Sequence, residues 1–352
     1  MELIPLSLRR LLLSCCALAG VLLPVPARSA ICKTQAQLTG PQRDALSNFG
    51  HLVASDVQKG DTQALKAITL PAVAADFGGI AAAADDLKSL IQQATITVDS
   101  LYLLDATSEV AGQPRTDFFC GSPVVVMNLT DLPPGMYALV ILHATGVPKP
   151  QQISLILAQG TDQRWLLGGL PPPRAMTENG HDGLWYWSSA RRFAQKNMSW
   201  DAWFYYQTAA YTLDPIDFLS SPNLEKLQKE QEAVKPSNLP AATKPLALSA
   251  NGATYQVVNV DTTSALGAYD LEVTYAPDPS QAAQLRDPPS ARKQVTDVMT
   301  ALLTLRPELQ AAFHGIWVHA NQGNDSLFSL ELTMDQIATG SLTPPLTTPP
   351  AK

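Results

Sequence analysis

The chain has 352 residues, and 24 Lys plus Arg against 31 Asp plus Glu give a formal net charge of −7. A surface this acidic repels phosphates and anionic lipid headgroups, which argues against nucleic acid and anionic membranes as partners. No basic cluster offsets that balance.

The first residues carry a targeting pattern. Arg9-Arg10 opens it, an apolar run follows from Leu11 to Leu23, and Pro24-Val25-Pro26 leads into Ala27-Arg28-Ser29. Small residues then stand at −3 and −1 for a cut before Ala30, the three-part order of a secretory signal. The apolar run falls short of the roughly 20 residues needed to cross a bilayer. Residues 1–29 are therefore expected to be a signal peptide, with no membrane span after cleavage and a periplasmic or secreted destination. The alternative is a retained anchor. Cleavage removes three arginines and one glutamate, so the mature chain becomes more acidic. It also removes Cys15 and Cys16, leaving Cys32 and Cys120. Two cysteines in an oxidising compartment predict one disulfide.

The 28 prolines gather at 171–173, 236–245, 277–289 and 344–350. They divide the mature chain into an α+β module at 30–170, a helical hairpin with linkers at 171–245, a third module at 246–338, and a Pro/Thr tail at 339–352. The tail is of low complexity and is expected to be disordered.

In the first module, Thr39-Gly40-Pro41-Gln42 reads as a capping box. Leu46, Phe49, Val53 and Val57 follow at helical spacing, then Leu65 and Ile68 after Gly60-Asp61, and Ile80, Ala84, Leu87 and Ile91 after Gly78-Gly79. The period then changes to that of strands at 95–104, 124–129, 136–144, 153–158 and from Trp165. Helices followed by strands at hairpin spacing predict an antiparallel sheet covered on one face. That order resembles the NTF2-like family, whose helices close a curved sheet around a pocket. Alternation places Tyr137, Leu139, Ile141 and His143 on one face, so Tyr137 and His143 are the pocket candidates. Asp99, Asp105 and Asp117 are read as turn and cap residues.

The second module is the most distinctive. Eleven aromatics fall between Trp185 and Phe218. Ala190 with Phe193, Ala202 with Tyr206 and Ala209, and Pro215 after them resemble one tetratricopeptide repeat over about 183–216. A solenoid needs at least about three such repeats to bury a core, so a single hairpin must pack on its neighbours. Trp185, Trp187, Trp203 and Tyr205 are the candidates for an interaction surface.

The third module shows strands at 255–260 and 269–275, an amphipathic helix through Val295, Val298, Met299 and Leu302, and a hairpin at 315–320 and 326–333. This is a ββαββ order. His314 and His319 are expected on opposite faces, with no carboxylate or cysteine completing a ligand set, so neither a metal nor a cofactor is predicted.

There is no Gly-x-Ser-x-Gly elbow, phosphate loop, His-Glu-x-x-His or dinucleotide fingerprint. The reading is an exported, non-catalytic binding or scaffolding protein that meets a cell-envelope partner through the hairpin. The alternative is a small-molecule binding protein or an enzyme, using a pocket in the first module.

Overall fold

The computed structural model describes residues 30–340 apart from 123 and 324. Residues 1–29, expected as a signal peptide, and residues 341–352 of the expected tail at 339–352 lie outside the described residues, while Thr339 and Gly340 close the last helix.

The chain enters through β1 (Ile31–Thr34) and runs into α1 (Gly40–Lys59), α2 (Thr62–Ala67), α3 (Pro71–Ala74) and α4 (Gly78–Ile91). Thr39 starts α1 as expected: its side chain accepts from the Gln42 amide, and Gln42 reaches back to the Thr39 amide. The strands follow as β2 (Thr95–Asp105), β3 (Arg115–Cys120), β4 (Val125–Thr130), β5 (Met136–Thr145), β6 (Gln151–Gln159) and β7 (Trp165–Gly169). Short pairings β8 (Arg174–Ala175), β9 (Thr177–Glu178) and β10 (His181–Asp182) lead to the hairpin, α5 (Gly183–Gln195) and α6 (Ser199–Leu213). β11 (Leu219–Ser220) and α7 (Pro222–Val234) come next. The last third is β12 (Leu246–Ala250), β13 (Ala253–Thr263), β14 (Asp270–Ala276), α8 (Pro279–Gln284), α9 (Pro288–Leu305), β15 (Gly315–Gln322), β16 (Asp325–Thr333) and α10 (Met334–Thr339).

The protein is α+β, as its pattern of elements predicts. The first sheet has the order β11-β4-β3-β1-β2-β5-β6-β7, with β8 beside β6, and it curls into a half-barrel. One face is covered by α1 and α4. Leu46, Val53, Val57, Leu87 and Ile91 pack there on Leu101, Val140, Leu142, Leu155 and Leu157. The other face buries Phe118, Met127, Leu139 and Ile141 beneath Ile216 and Leu219.

β1 and β3 are among the strands that go beyond the sequence reading. β1 pairs with β2 in antiparallel fashion and meets β3 at Ile31 and Phe119. β3 buries Thr116, Phe118 and Cys120. Its other face carries Arg115 and Asp117, whose side chains bond at 2.6 Å. Asp117 is thus a strand residue in an ion pair and not a cap. The expected disulfide is present: Cys32 on β1 and Cys120 on β3 are joined with Cα atoms 5.0 Å apart.

The third module differs from ββαββ by one strand. β12 pairs with β13 through a turn at Asn251-Gly252, both with positive φ (50° and 78°). Asn-Gly is the residue pair such two-residue turns favour. The second sheet is therefore β12-β13-β14-β15-β16, all antiparallel except the pair β14 and β15. The connection α8-α9 between those two strands covers one face. Among the described residues, no helix is long and apolar enough to cross a membrane.

The disulfide closes a loop of 88 residues in sequence separation. Replacing both partners, Cys32→Ala with Cys120→Ala, is expected to cost about 2–5 kcal/mol. Urea unfolding followed by tryptophan fluorescence should show the lower midpoint, and an unchanged midpoint would deny the bond a structural role.

Candidate functional site

The hairpin aromatics form a core shared with the second sheet. Tyr186, Trp200, Phe204 and Tyr206 are fully buried and continuous with Leu271, Val273, Tyr275, Val298 and Leu302. Tyr205 is the wedge between them. Its ring lies 5.3 Å from Tyr186, 5.5 Å from Tyr269 and 6.0 Å from Phe313, and its hydroxyl donates to the Ala312 carbonyl at 2.7 Å. Burial pushes its phenol up to about 12.

Two of the four surface candidates thus belong to the interior. Tyr205 is one, and Trp187 is the other. The Trp187 indole donates to Glu230 at 2.7 Å and lies under the Arg191 guanidinium, which also holds Glu230. Trp203 is partly buried, with Lys235 over its ring. Trp185 keeps 36% exposure and stacks on His181 at 3.7 Å. The spacing that pairs two helices also turns their aromatics inward, because a large apolar face gains most by leaving water.

Tyr137 and His143 do share a face, but it is the face opposite the helices. Leu139 and Ile141 between them are buried under Ile216 and Leu219. Tyr137 donates its hydroxyl to the Pro133 carbonyl at 2.7 Å, and His143 Nε2 stands 3.8 Å from Asp99 Oδ1. The cavity of this module opens on the other side of the sheet. A cleft of about 690 Å³ lies between α1, the end of α2 and strands β2, β5 and β7. Phe49, Ile68, Leu103, Met136 and Trp165 form its apolar walls, and Gln42, Gln159 and Gln163 stand among the polar lining residues. Arg164 is the one lining residue with an ionisable side chain, and it is already paired with Asp162.

A second polar centre sits on the open face of the second sheet. In register across it, Asp261, Glu272, Trp317 and Glu331 form one row, and Thr274, His319 and Ser329 form the next. His319 Nδ1 meets Ser329 Oγ at 2.8 Å, while its Nε2 is 3.3 Å from Glu272. His314 Nδ1 lies 3.0 Å from Asp270 Oδ1 and 4.0 Å from Glu331 Oε1. The expectation that the two histidines point to opposite faces is therefore corrected. β15 starts only at Gly315, so strand alternation does not govern His314, which turns onto the same face as His319. The missing carboxylates are also found: Asp270 comes from β14 and Glu331 from β16. Burial raises the Glu331 carboxyl above its usual range, the nearby Asp270 charge adds to this, and His314 opposes it.

Sequence reasoning missed Asp270 and Glu331 because their partners lie far along the chain. Acidic residues alternating with apolar ones in Asp270-Leu271-Glu272-Val273 and Leu330-Glu331-Leu332 were the readable signal. Compared with known proteins, the chain matches no family model, no curated protein and no solved structure.

A third feature is a buried carboxylate without a partner. Asp201, in the first turn of α6, is inaccessible to solvent and neither of its oxygens is hydrogen-bonded. Burial, with Glu308's charge adding, raises it to about 7. A carboxyl with a raised folded-state value contributes stability while protonated. That contribution is complete below its ordinary value and is lost as pH rises through about 7. Asp201→Asn cannot ionise, so it should gain about 1–3 kcal/mol over the parent at alkaline pH and nothing at acidic pH. Chemical unfolding at both pH values tests this, and equal gains at both would assign the effect to packing.

Proposed function

We propose that this chain is an exported, non-catalytic binding protein that holds an apolar or amphipathic small molecule in the cleft between α1 and β7. The observation that carries this reading is the cleft itself. At about 690 Å³ it falls within the usual range for ligand sites, and it has the usual build of apolar walls with a few polar groups. Binding is favoured over catalysis because Arg164 alone among its lining residues is ionisable, and that charge is already satisfied by Asp162. General acid–base work needs a placed donor and acceptor of protons.

Other features support parts of the same proposal. Export is supported by the signal-like pattern of residues 1–29 and by the Cys32–Cys120 bond. An NTF2-like reading of the first module is supported by helices laid over one face of a curled sheet, with a cleft between them. A tetratricopeptide-like reading of the hairpin is supported by the pairing of α5 with α6 and the packing of α7 on α6. For a cell-envelope partner that docks on the hairpin, Trp185 and Tyr211 are exposed aromatic contacts.

The test uses 1-anilinonaphthalene-8-sulfonate as the probe, with energy transfer from tryptophan as the signal. Trp165 lines the cleft, so bound dye should quench it. Ala45 is an exposed residue of α1 that also lines the cleft. Ala45→Trp is therefore expected to fill the cleft without disturbing the core, and to weaken dye binding at least about tenfold, or 1.4 kcal/mol, at unchanged melting temperature. Equal binding by the parent and Ala45→Trp would reject the cleft as the site.

A further inference from the structure

Asp270 of β14, Glu331 of β16 and His314, the residue before β15, reach one point. Their ligand atoms all lie within 4.8 Å of one another. The backbone that carries them is fixed on both sides. The His314 amide donates to the Tyr269 carbonyl at 2.9 Å, and the Met334 amide donates to the His314 carbonyl at 2.9 Å.

Gly315 explains how the side chains can come this close. A Cβ at this position would stand 2.6 Å from the Leu332 carbonyl oxygen, 2.7 Å from Glu331 Oε1 and 3.1 Å from Asp270 Oδ1. Three oxygens thus converge on a space that only glycine leaves free.

The carboxylate oxygens of this cluster are not all satisfied within it. The Asp270 side chain is 1% exposed and points at His314, yet its Oδ2 has no hydrogen-bond partner. Glu331 Oε1 is likewise buried without one. A buried charge is tolerated when it is paired or bound to a metal.

We propose that Asp270, His314 and Glu331 form a binding site for a borderline divalent cation, zinc being the best match. One imidazole and two carboxylates are a donor set suited to that class of ion. Ligands at about 2.0–2.1 Å around a tetrahedral ion lie roughly 3.3 Å apart. The two separations from His314, 3.0 Å and 4.0 Å, bracket that value, and all three ligand atoms lie within 4.8 Å of one another. Small side-chain adjustments therefore suffice, and no strand has to move. Three protein ligands leave a fourth position open, and the half-exposed His314 ring puts it at the surface. Trp317 lies in the same cross-strand row as Glu331, with its indole 4.5 Å from the His319 ring.

The proposal does not depend on the cleft, which lies in the other module. The test is calorimetric titration of zinc chloride, and in parallel manganese chloride, into chelator-treated, tag-free full chain near neutral pH. One equivalent of zinc is expected to bind with a dissociation constant of about 10 µM or tighter and to raise the melting temperature. His314→Ala should weaken binding by about 100-fold and Glu331→Gln by at least about tenfold, with His319→Ala unchanged. His314 is half exposed, so its replacement leaves the core intact. Glu331→Gln keeps the shape of the side chain while removing its charge. The proposal is overturned if zinc fails to saturate one site, or if His314→Ala binds as the parent does. It also falls if His319→Ala loses as much affinity as His314→Ala. An imidazolium held between two carboxylates, seen by NMR as a His314 that stays protonated when zinc is added, would likewise overturn it.

Discussion

The structure turns on how one helix pair hides its aromatic face. α5 and α6 carry more large rings than two helices can bury between themselves, and a lone hairpin would leave them in water. Tyr205 resolves this by crossing to Tyr269 and Phe313 and bonding the Ala312 carbonyl, which seats the hairpin on the second sheet. The inner face of that sheet is thereby filled by α6 and α9 together. Its outer face is left without a layer of its own, and it carries the polar row of Glu272, Trp317 and Glu331 together with His319. The location of the Asp270–His314–Glu331 cluster is thus a consequence of aromatic packing on the other side of the same strands.

The first sheet follows the same logic with different coverings. Helices take one face, and the short segment through Ile216 and Leu219 takes part of the other. Helices that meet a curled sheet cannot follow it to its end, and the gap near Met136 and Trp165 is the cleft. Met136 faces the cleft while Tyr137 faces the opposite core, a one-residue difference that decides which side chain can touch a ligand.

Much of the fold was legible because period and caps act locally. The box at Thr39 and Gln42, the stripe Leu46, Val53 and Val57, and the alternation from Met136 to Ala144 each specify one element from neighbouring residues. β3 was legible too, in Thr116, Phe118 and Cys120, but Arg115 and Asp117 gave it the look of a loop. The Asn251-Gly252 turn was a plain signal that prolines nearby concealed. Register between distant strands is different in kind. That β14 lies beside β15 depends on α9 crossing between them, and nothing near Asp270 announces that His314 will arrive next to it. The candidate site was illegible for that reason, whereas the disulfide was legible because only two cysteines remained to choose from.

The segment after the hairpin has a bearing on how the protein can be divided. α6 belongs to the core of the second sheet, yet within a few residues Leu219 and Ser220 become an edge strand of the first sheet, paired with Met127 and Val126. Glu178 adds to the join, meeting Lys149 of the first module at 2.9 Å and Ser264 of the third. A cut at either end of 171–245 therefore follows the composition but not the wiring. Cutting before it strips the first sheet of its end strand and of the cover over Leu139 and Ile141. Cutting after it takes α6 away and opens the part of the second sheet's inner face that α9 does not cover. The proline-rich joints that look like seams in the sequence are bridged by the chain itself, and the smallest piece that keeps every buried surface covered spans both sheets.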